Sequence, residues 1–500
     1  MFSIIKCSDL GQHPAIIVID MSFIKDGCTL GVHMSTVDLL NTINDTLWYI
    51  PLVMIVALGL YSTLRLKGIQ FKALREMVRV TFSKDSRSSS EMSSFKVFCM
   101  SMGNRIGVGN ITGPVLAILI GGPGAIFWMW IFAILGGATS FLESTVGQIY
   151  KSRKSDGNFR GGPAYNIYKA LGLKRMSIIV AMVMVLMYIV GFASMEVSSM
   201  ASALCDTFQF SNNNLFFAVL LTSITAIVII GGIKRVADVS TALVPTMALG
   251  WLILCVASVI MSTGGVVNAF VMIFECAFSF PSAVGGGVGA MLIIGMKRGV
   301  LSNEAGIGTI TNISSIADVE HPAKQGLSQC LGVAIDTVVS TLTAVVVLSY
   351  ANYDVIVGLN QESMPLLHTV FESTLGGVAP MLVTLMLFVF AFTSLISDFI
   401  IGENNLSFIT EKRICRYGMA VCLLSVVFLS SFYASDSMFL VVDIMLGVCA
   451  VINCIVMFRI GKFAVEACRD YFSQRASGVD TPVFHKSCLS DSTGVTEWDD

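Results

Sequence analysis

Charge is scarce in this 500-residue chain: Asp, Glu, Lys and Arg make up 13% of it, against 55% hydrophobic residues and a mean hydropathy of +0.79. A soluble domain carries about a quarter charged residues, so this composition excludes an ordinary soluble fold and points to a polytopic all-α membrane protein. The net charge of −2 offers no case for a nucleic-acid partner. The 13 cysteines include no Cys-x-x-Cys pair, which argues against a disulfide framework or a zinc site and for free thiols in the core. Walker A, Gly-x-Ser-x-Gly and His-Glu-x-x-His are all missing, so the familiar enzyme signatures have no place here. Gly285-Gly-Gly-Val-Gly-Ala290 formally fits a dinucleotide pattern, but it opens an apolar span with no strand before it and reads as a packing or flexible element. A channel would want a ring-forming pore element, and none is evident.

A signal peptide is missing as well. The longest apolar run in residues 1–33 is Ala15 to Ile19, far shorter than an h-region. Residues 1–47 therefore read as an N-terminal extension, with Met34 as an alternative start that leads directly into the amphipathic run before Trp48.

What is abundant is long apolar sequence. About eleven stretches of membrane-spanning length recur near 48–64, 94–120, 123–149, 177–203, 214–232, 239–262, 285–317, 325–350, 378–402, 417–433 and 438–458. The link after the first carries Arg65, Lys67, Lys72, Arg75, Arg79, Lys84 and Arg87, and 151–175 carries seven more basic residues. Lys and Arg favour the cytoplasmic side, which sets the N-terminus outside and the C-terminus inside. The chain then divides into a first span and basic linker (48–92), two five-span units (94–262 and 285–458) and a cytoplasmic tail (459–500), polar and expected to be mobile from 473. Lys297-Arg298, inside a span, fits this scheme least well.

Two spans are interrupted. Gly103-Asn-Arg-Ile-Gly-Val-Gly-Asn110 places three glycines, an Arg and two Asn in the middle of an apolar segment. Glycine costs about 1 kcal/mol in a helix interior, and irregular backbone at membrane depth survives only in protein or beside a cavity. A Gly-rich packing face is the alternative reading, since Gly103/Gly107 and Gly109/Gly113 have small-xxx-small spacing. The second interruption is Arg298 to Gly308, with Leu301, Ser302, Asn303 and Glu304 at its polar core. The two lie at corresponding places in units of five spans, and an odd count inverts one unit relative to the other. Paired broken helices in inverted repeats point to a midplane site in a secondary transporter.

The electrostatics suit a zwitterion. N–H groups of Gly107, Val108, Gly109 and Asn110 at a half-helix N-terminus would hold a carboxylate, and Asn303 and Glu304 would lie near an amine. Glu304 reads equally as a structural partner of Arg105 or Arg298. Glu143 and Asp336 could relay protons or be paired structurally. Thr393-Ser394, two adjacent hydroxyls within a span, suit a hard cation such as sodium when combined with freed carbonyls.

The chain resembles the alanine or glycine:cation symporter family, of LeuT-type fold, from about Met34 to Phe484. The motifs that carry the likeness are Arg105-Ile-Gly-Val-Gly-Asn110, Gly121 to Trp130, Gly161-Gly-Pro-Ala-Tyr165, Phe274 to Phe278, Ser302 to Gly308, His321-Pro322, Gln325-Gly326, Ile335-Asp-Thr337 and Glu403-Asn-Asn405. The resemblance implies a 5+5 inverted repeat and sodium-coupled uptake of alanine or glycine, of either hand, across a bacterial inner membrane, with no cofactor beyond the coupling ion. It implies a sodium site from the carbonyls of Gly103, Ile106 and Phe390 with the hydroxyls of Thr393 and Ser394. Arg105 occupies the place of a second sodium, so one coupled cation is expected. Two residues depart from the family pattern: Glu196, in a segment facing the substrate where Gln is usual, and Asp398, where a neutral residue is usual. A carboxylate at Glu196's depth must be paired or protonated, which leaves a proton-coupled symporter as the alternative.

Overall fold

The structure is a computed structural model that describes residues 36–82, 92–208, 215–262, 264–278, 287–432 and 436–499; the proposed start at Met34 lies outside them. The first span, α1 (Thr36–Arg65), ends in a turn at Lys67 and Gly68 and leads to α2 (Ile69–Lys72) and α3 (Leu74–Phe82). The segment expected to form the first repeat carries α4 (Ser94–Arg105), α5 (Val108–Gly121), α6 (Gly124–Ile149), a short hairpin of β1 (Ser152–Arg153) and β2 (Phe159–Arg160), α7 (Pro163–Leu171), α8 (Lys174–Leu186), α9 (Ala193–Phe208), α10 (Leu215–Ile230) and α11 (Gly232–Met261). After α12 (Val266–Phe278), the segment expected to form the second carries α13 (Gly287–Asn303), α14 (Thr311–Ser314), α15 (Pro322–Tyr350), α16 (Tyr353–Gly358), α17 (Ser363–Leu375), α18 (Ala379–Ile409), α19 (Arg413–Ser430) and α20 (Asp436–Ala476). All eleven apolar stretches coincide with helices: eight long enough to cross a membrane, the 16-residue α10, and the two interrupted ones. The fold is the all-α inverted repeat anticipated from the pattern.

Local chemistry sets the helix ends. Ser93 caps α4 by accepting from the Lys96 N–H, and the His321 ring caps α15 by accepting from the Ala323 N–H at 3.1 Å, with Pro322 in the first turn where its missing donor costs nothing. The second helices of the two repeats, α6 and α15, pack along each other at the centre. Gly326 allows this: a Cβ there would stand 2.8 Å from the Phe141 carbonyl.

The structure corrects or extends the pattern in four places. The second break starts later than the expected interruption from Arg298 to Gly308: α13 runs through Asn303, Glu304 takes a left-handed φ of 51°, and Gly306 and Gly308 follow at 95° and 85°. Only glycine adopts that region freely, so helix resumes for a single turn at α14 and not as a full half-span. The stretch 351–377, left between two of the expected spans, carries α16 and α17. The span expected at 177–203 is not uniform, because Met187–Phe192 is π-helical. The tail is not loose: beyond α20 it turns back, Trp498 is buried with its indole N–H donating to the Gln148 carbonyl at 3.0 Å, and the Phe484 N–H donates to the Glu320 carbonyl at 2.9 Å. Buried aromatic area explains this order, which a count of polar residues overlooks.

Lys297, the residue that fitted the charge scheme least well, is neutralised locally. It pairs with Asp443 at 3.1 Å and lies 5.4 Å from the centre of the Trp48 ring.

Candidate functional site

The first break is short. The Ile106 N–H still bonds the Met102 carbonyl at 2.7 Å, and the next turn starts with the Asn110 N–H on the Gly107 carbonyl at 3.2 Å. Between them Ile106 and Gly107 leave helical geometry, with ψ of 79° and −159°. The carbonyls ending α4 and the N–H groups opening α5 are thereby released from the ladder.

Around this point α18 and α9 close in. A Cβ on Gly103 would meet the Thr393 carbonyl and Cβ at 3.3 Å, and one on Gly107 would meet Ser394 Oγ at 3.3 Å and Glu196 Oε1 at 3.0 Å. Gly103, Gly107, Thr393 and Ser394 are thus brought together. The Thr393 hydroxyl donates to the Phe390 carbonyl at 2.9 Å. The oxygens gathered beside Gly103 and Gly107 are the Thr393 carbonyl, the Ser394 and Ser397 hydroxyls and the carboxylate of Glu196.

Glu196 stands at the positive end of α5. Its carboxylate lies beside the Val108 N–H and the Ser394 hydroxyl. Of the four backbone donors expected to hold a carboxylate, Asn110 is engaged in its own turn. Gly109 is different: no atom lies within 4 Å of where its Cβ would be, nor is there one at Gly113, and Gly109 itself is exposed. This face of α5 borders open space at the level of the break. Replacing Gly109 by Leu should therefore leave thermal stability within about 1 kcal/mol while strongly weakening substrate affinity. Unchanged affinity in that variant would place the substrate elsewhere.

Arg105 joins the two breaks. It is 2% exposed and donates from Nε to the Asn303 carbonyl at 3.0 Å, from Nη1 to the Gln329 carbonyl at 3.2 Å and from Nη2 to Ser140 Oγ at 3.2 Å. One guanidinium from the first break thus caps the C-terminal end of α13, where the helix dipole favours a cation. Of the two partners suggested for Glu304, neither is a direct one. Its carboxylate accepts from Thr309 at 2.5 Å and from the Tyr188 hydroxyl at 3.4 Å, the latter presented by the π-helical segment. Asn303 is also engaged, its Oδ1 accepting from the Ala305 N–H at 3.0 Å.

A second polar knot ties both breaks to α15. The Asn110 amide donates to Asp336 at 2.5 Å and to Ser340 at 3.0 Å, and Ser302 donates to the same carboxylate at 3.0 Å. A narrow cavity of about 10 Å³ adjoins Ser302, Asp336 and Ser340, room for about one water. Leu301, half-buried on the same turn, makes no polar contact with its side chain.

Glu143, singled out in the sequence as a relay or a paired group, is paired, and several further participants carried no sequence signal of a site. Glu143 accepts from Asn453 at 2.5 Å and from the Gly306 N–H at 3.3 Å, which fixes the long second break. Ser140, Tyr188, Gln329 and Asn453 look like ordinary polar residues in apolar helices. Asp398, noted only as a departure, accepts from Asn104 at 3.2 Å and feels the charges of Glu196 and Glu304. Its Oδ2 and Glu196 Oε2 accept no hydrogen bond among the described residues. Five carboxylates, Glu143, Glu196, Glu304, Asp336 and Asp398, are at most 8% exposed, and three of them, Glu143, Glu304 and Asp336, feel the charge of the buried Arg105 guanidinium.

Two opposed broken helices meeting at the centre of an inverted repeat define a transporter of the alternating-access class. Solved structures agree on the fold: MhsT in complex with L-phenylalanine aligns with a TM-score of 0.51 at 13% identity over 78% of this chain and 92% of that one, and a mutant of the manganese transporter of Eremococcus coleocola with 0.50 at 13% over 77% and 81%. The chain belongs to the sodium:alanine symporter family, whose model matches residues 33–486. The amino-acid carrier protein AlsT of Bacillus subtilis is 35% identical over 92% of this chain and 97% of its own length. The sodium/alanine symporter AgcS of Methanococcus maripaludis is 32% identical over 78% and 88%, and the sodium/proton-dependent alanine carrier protein of Bacillus sp. PS3 is 33% identical over 82% and 94%.

Proposed function

We propose that the protein takes up a small neutral amino acid, alanine or glycine, by symport with sodium, and performs no catalysis. The observation that carries this reading is the open face at Gly109, two residues past Gly107, where Ser394 of α18 and Glu196 of α9 close on the break. A substrate carboxylate there would meet the positive end of α5, and its ammonium would find Glu196, whose Oε2 has no partner among the described residues. Sodium would take the carbonyls of Gly103, Ile106 and Phe390 with the Thr393 and Ser394 hydroxyls, beside the substrate. Occupying both sites would bind α18 to the broken helix and so favour one state of the alternating cycle, because a ligand shifts an equilibrium only through differential affinity.

Contacts on one face of the molecule support the orientation with the C-terminus inside. Arg475 of α20 pairs with Glu76 at 3.3 Å, and Lys169 donates to Thr496 of the tail at 2.7 Å. The basic segments 65–82 and 151–175 and the tail therefore share a side, which the excess of Lys and Arg assigns to the cytoplasm of a bacterial cell.

Ligand-dependent stability tests the reading. Saturation at 100 times Kd adds about 2.7 kcal/mol, so alanine or glycine should raise the melting temperature of the purified protein in sodium and not in potassium. Equal shifts in both salts would exclude sodium coupling.

The unpartnered oxygens of Glu196 and Asp398 favour one further reading, in which a proton accompanies or replaces sodium. Glu196→Gln distinguishes the two: loss of substrate affinity with an unaltered pH profile marks an amine ligand, and loss of the pH dependence of uptake with exchange intact marks a proton carrier.

A further inference from the structure

A cavity of about 450 Å³ lies far from the two breaks, between the turn that ends α1 and the last part of α20. Arg65, Lys67 and Lys72 line one wall and Arg469 the other, and no carboxylate faces it. Its floor is apolar, with Ile69 3% and Val465 2% exposed. Three cations on this side of the molecule are matched: Arg79 and Arg475 share Glu76, and Lys324 holds Glu320 at 2.5 Å. The four around the cavity make no ion pair among the described residues; Arg65 only rests 5.9 Å from the Tyr61 ring centre.

The depth of the cavity follows from its neighbours. Phe71, Leu74, Val78 and Phe82, spaced three or four residues apart along α2 and α3, are 65%, 52%, 44% and 58% exposed, while Met77 and Val80 on the opposite face are buried. Four large apolar side chains in a row are out of place in water and suit the boundary between headgroups and acyl chains. Leu64, in the last turn of α1, is 76% exposed beside them. The segment therefore lies flat on the cytoplasmic surface of the bilayer, with the cavity at headgroup level and an apolar path running from it into the membrane.

We propose that this cavity is a binding site for an anionic phospholipid, its phosphate held among Arg65, Lys67, Lys72 and Arg469 and its acyl chains laid along Leu64 and the exposed face of α1. Unpaired cations, an apolar floor and an interfacial mouth together match an amphiphile with a negative head, whereas a soluble anion would use only the first of the three. The lipid would join α1, which stands outside both repeats, to α20, the last helix of the second.

Native mass spectrometry on the full chain, released from detergent and titrated with cardiolipin, phosphatidylglycerol or phosphatidylcholine, tests the site. Cardiolipin and phosphatidylglycerol should form retained adducts and phosphatidylcholine should not. Lys67→Ala/Lys72→Ala/Arg469→Ala, all at exposed positions, should weaken adduct formation by about tenfold or more. Lys412→Ala/Arg413→Ala, which removes two cations at the start of α19, should bind as the unaltered protein does. Equal binding of phosphatidylcholine, undiminished adducts in the triple variant, or equal loss in the α19 variant would overturn the proposal. So would competition by millimolar inorganic phosphate, since that would identify a phosphate site and not a lipid site. A melting curve of the triple variant close to that of the original shows that any loss is of lipid and not of fold.

Discussion

Arg105→Leu should abolish uptake and lower stability by about 3–5 kcal/mol, the usual result of removing one partner from a buried charged network. The guanidinium donates in three directions, to two carbonyls and a hydroxyl, and its charge reaches three buried carboxylates, Glu143, Glu304 and Asp336. Arg105→Lys separates charge from shape. An ammonium keeps the charge but has no planar fork to span Asn303, Gln329 and Ser140 together, so the Lys variant should insert and retain most of its stability while losing most of its transport. Gly332 sharpens the expectation, because a Cβ there would collide with the guanidinium; Gly332→Val should resemble Arg105→Leu in uptake. Melting curves and uptake on the same preparations check all three. Concentrative uptake by the Leu variant would mean that the two breaks need no such link.

The second large effect concerns the hydroxyls of α18. Thr393→Ala/Ser394→Ala should raise the sodium concentration for half-maximal uptake by about 10- to 100-fold, taking about 1–1.5 kcal/mol for each oxygen lost. Affinity for the amino acid at saturating sodium should change far less. Ser394 also stands beside Glu196 at Gly107, so the single variants are informative: Thr393→Ala should act on sodium alone, and Thr393→Ser should restore it. Unaltered sodium dependence in the double variant would take these hydroxyls out of the coupling site.

The parts of this molecule legible in the sequence are those where composition contradicts the membrane. Gly103 to Asn110 stands out because three glycines and three polar residues have no reason to interrupt an apolar span unless helix ends there, and the break between α4 and α5 falls within it. The inverted repeat follows from counting spans, which needs no tertiary information. The second break is less legible because its extent depends on φ at Glu304, Gly306 and Gly308, and on partners as remote as Glu143 and Asn453. Glu196 illustrates the same limit: its depth marks it as exceptional, yet only packing shows that it sits at the N-terminus of α5. The tail misleads in the opposite sense. Its polar residues suggest mobility, and two aromatic side chains, Phe484 and Trp498, decide otherwise.

Vesicles preloaded with potassium and diluted into sodium decide the central claim. If the oxygens around the first break couple a cation to an amino acid, purified protein in these vesicles should accumulate labelled alanine or glycine above the external concentration, only with sodium directed inward, and an imposed proton gradient without sodium should drive none. Accumulation driven by the proton gradient alone, or only equilibration under an inward sodium gradient, would contradict it.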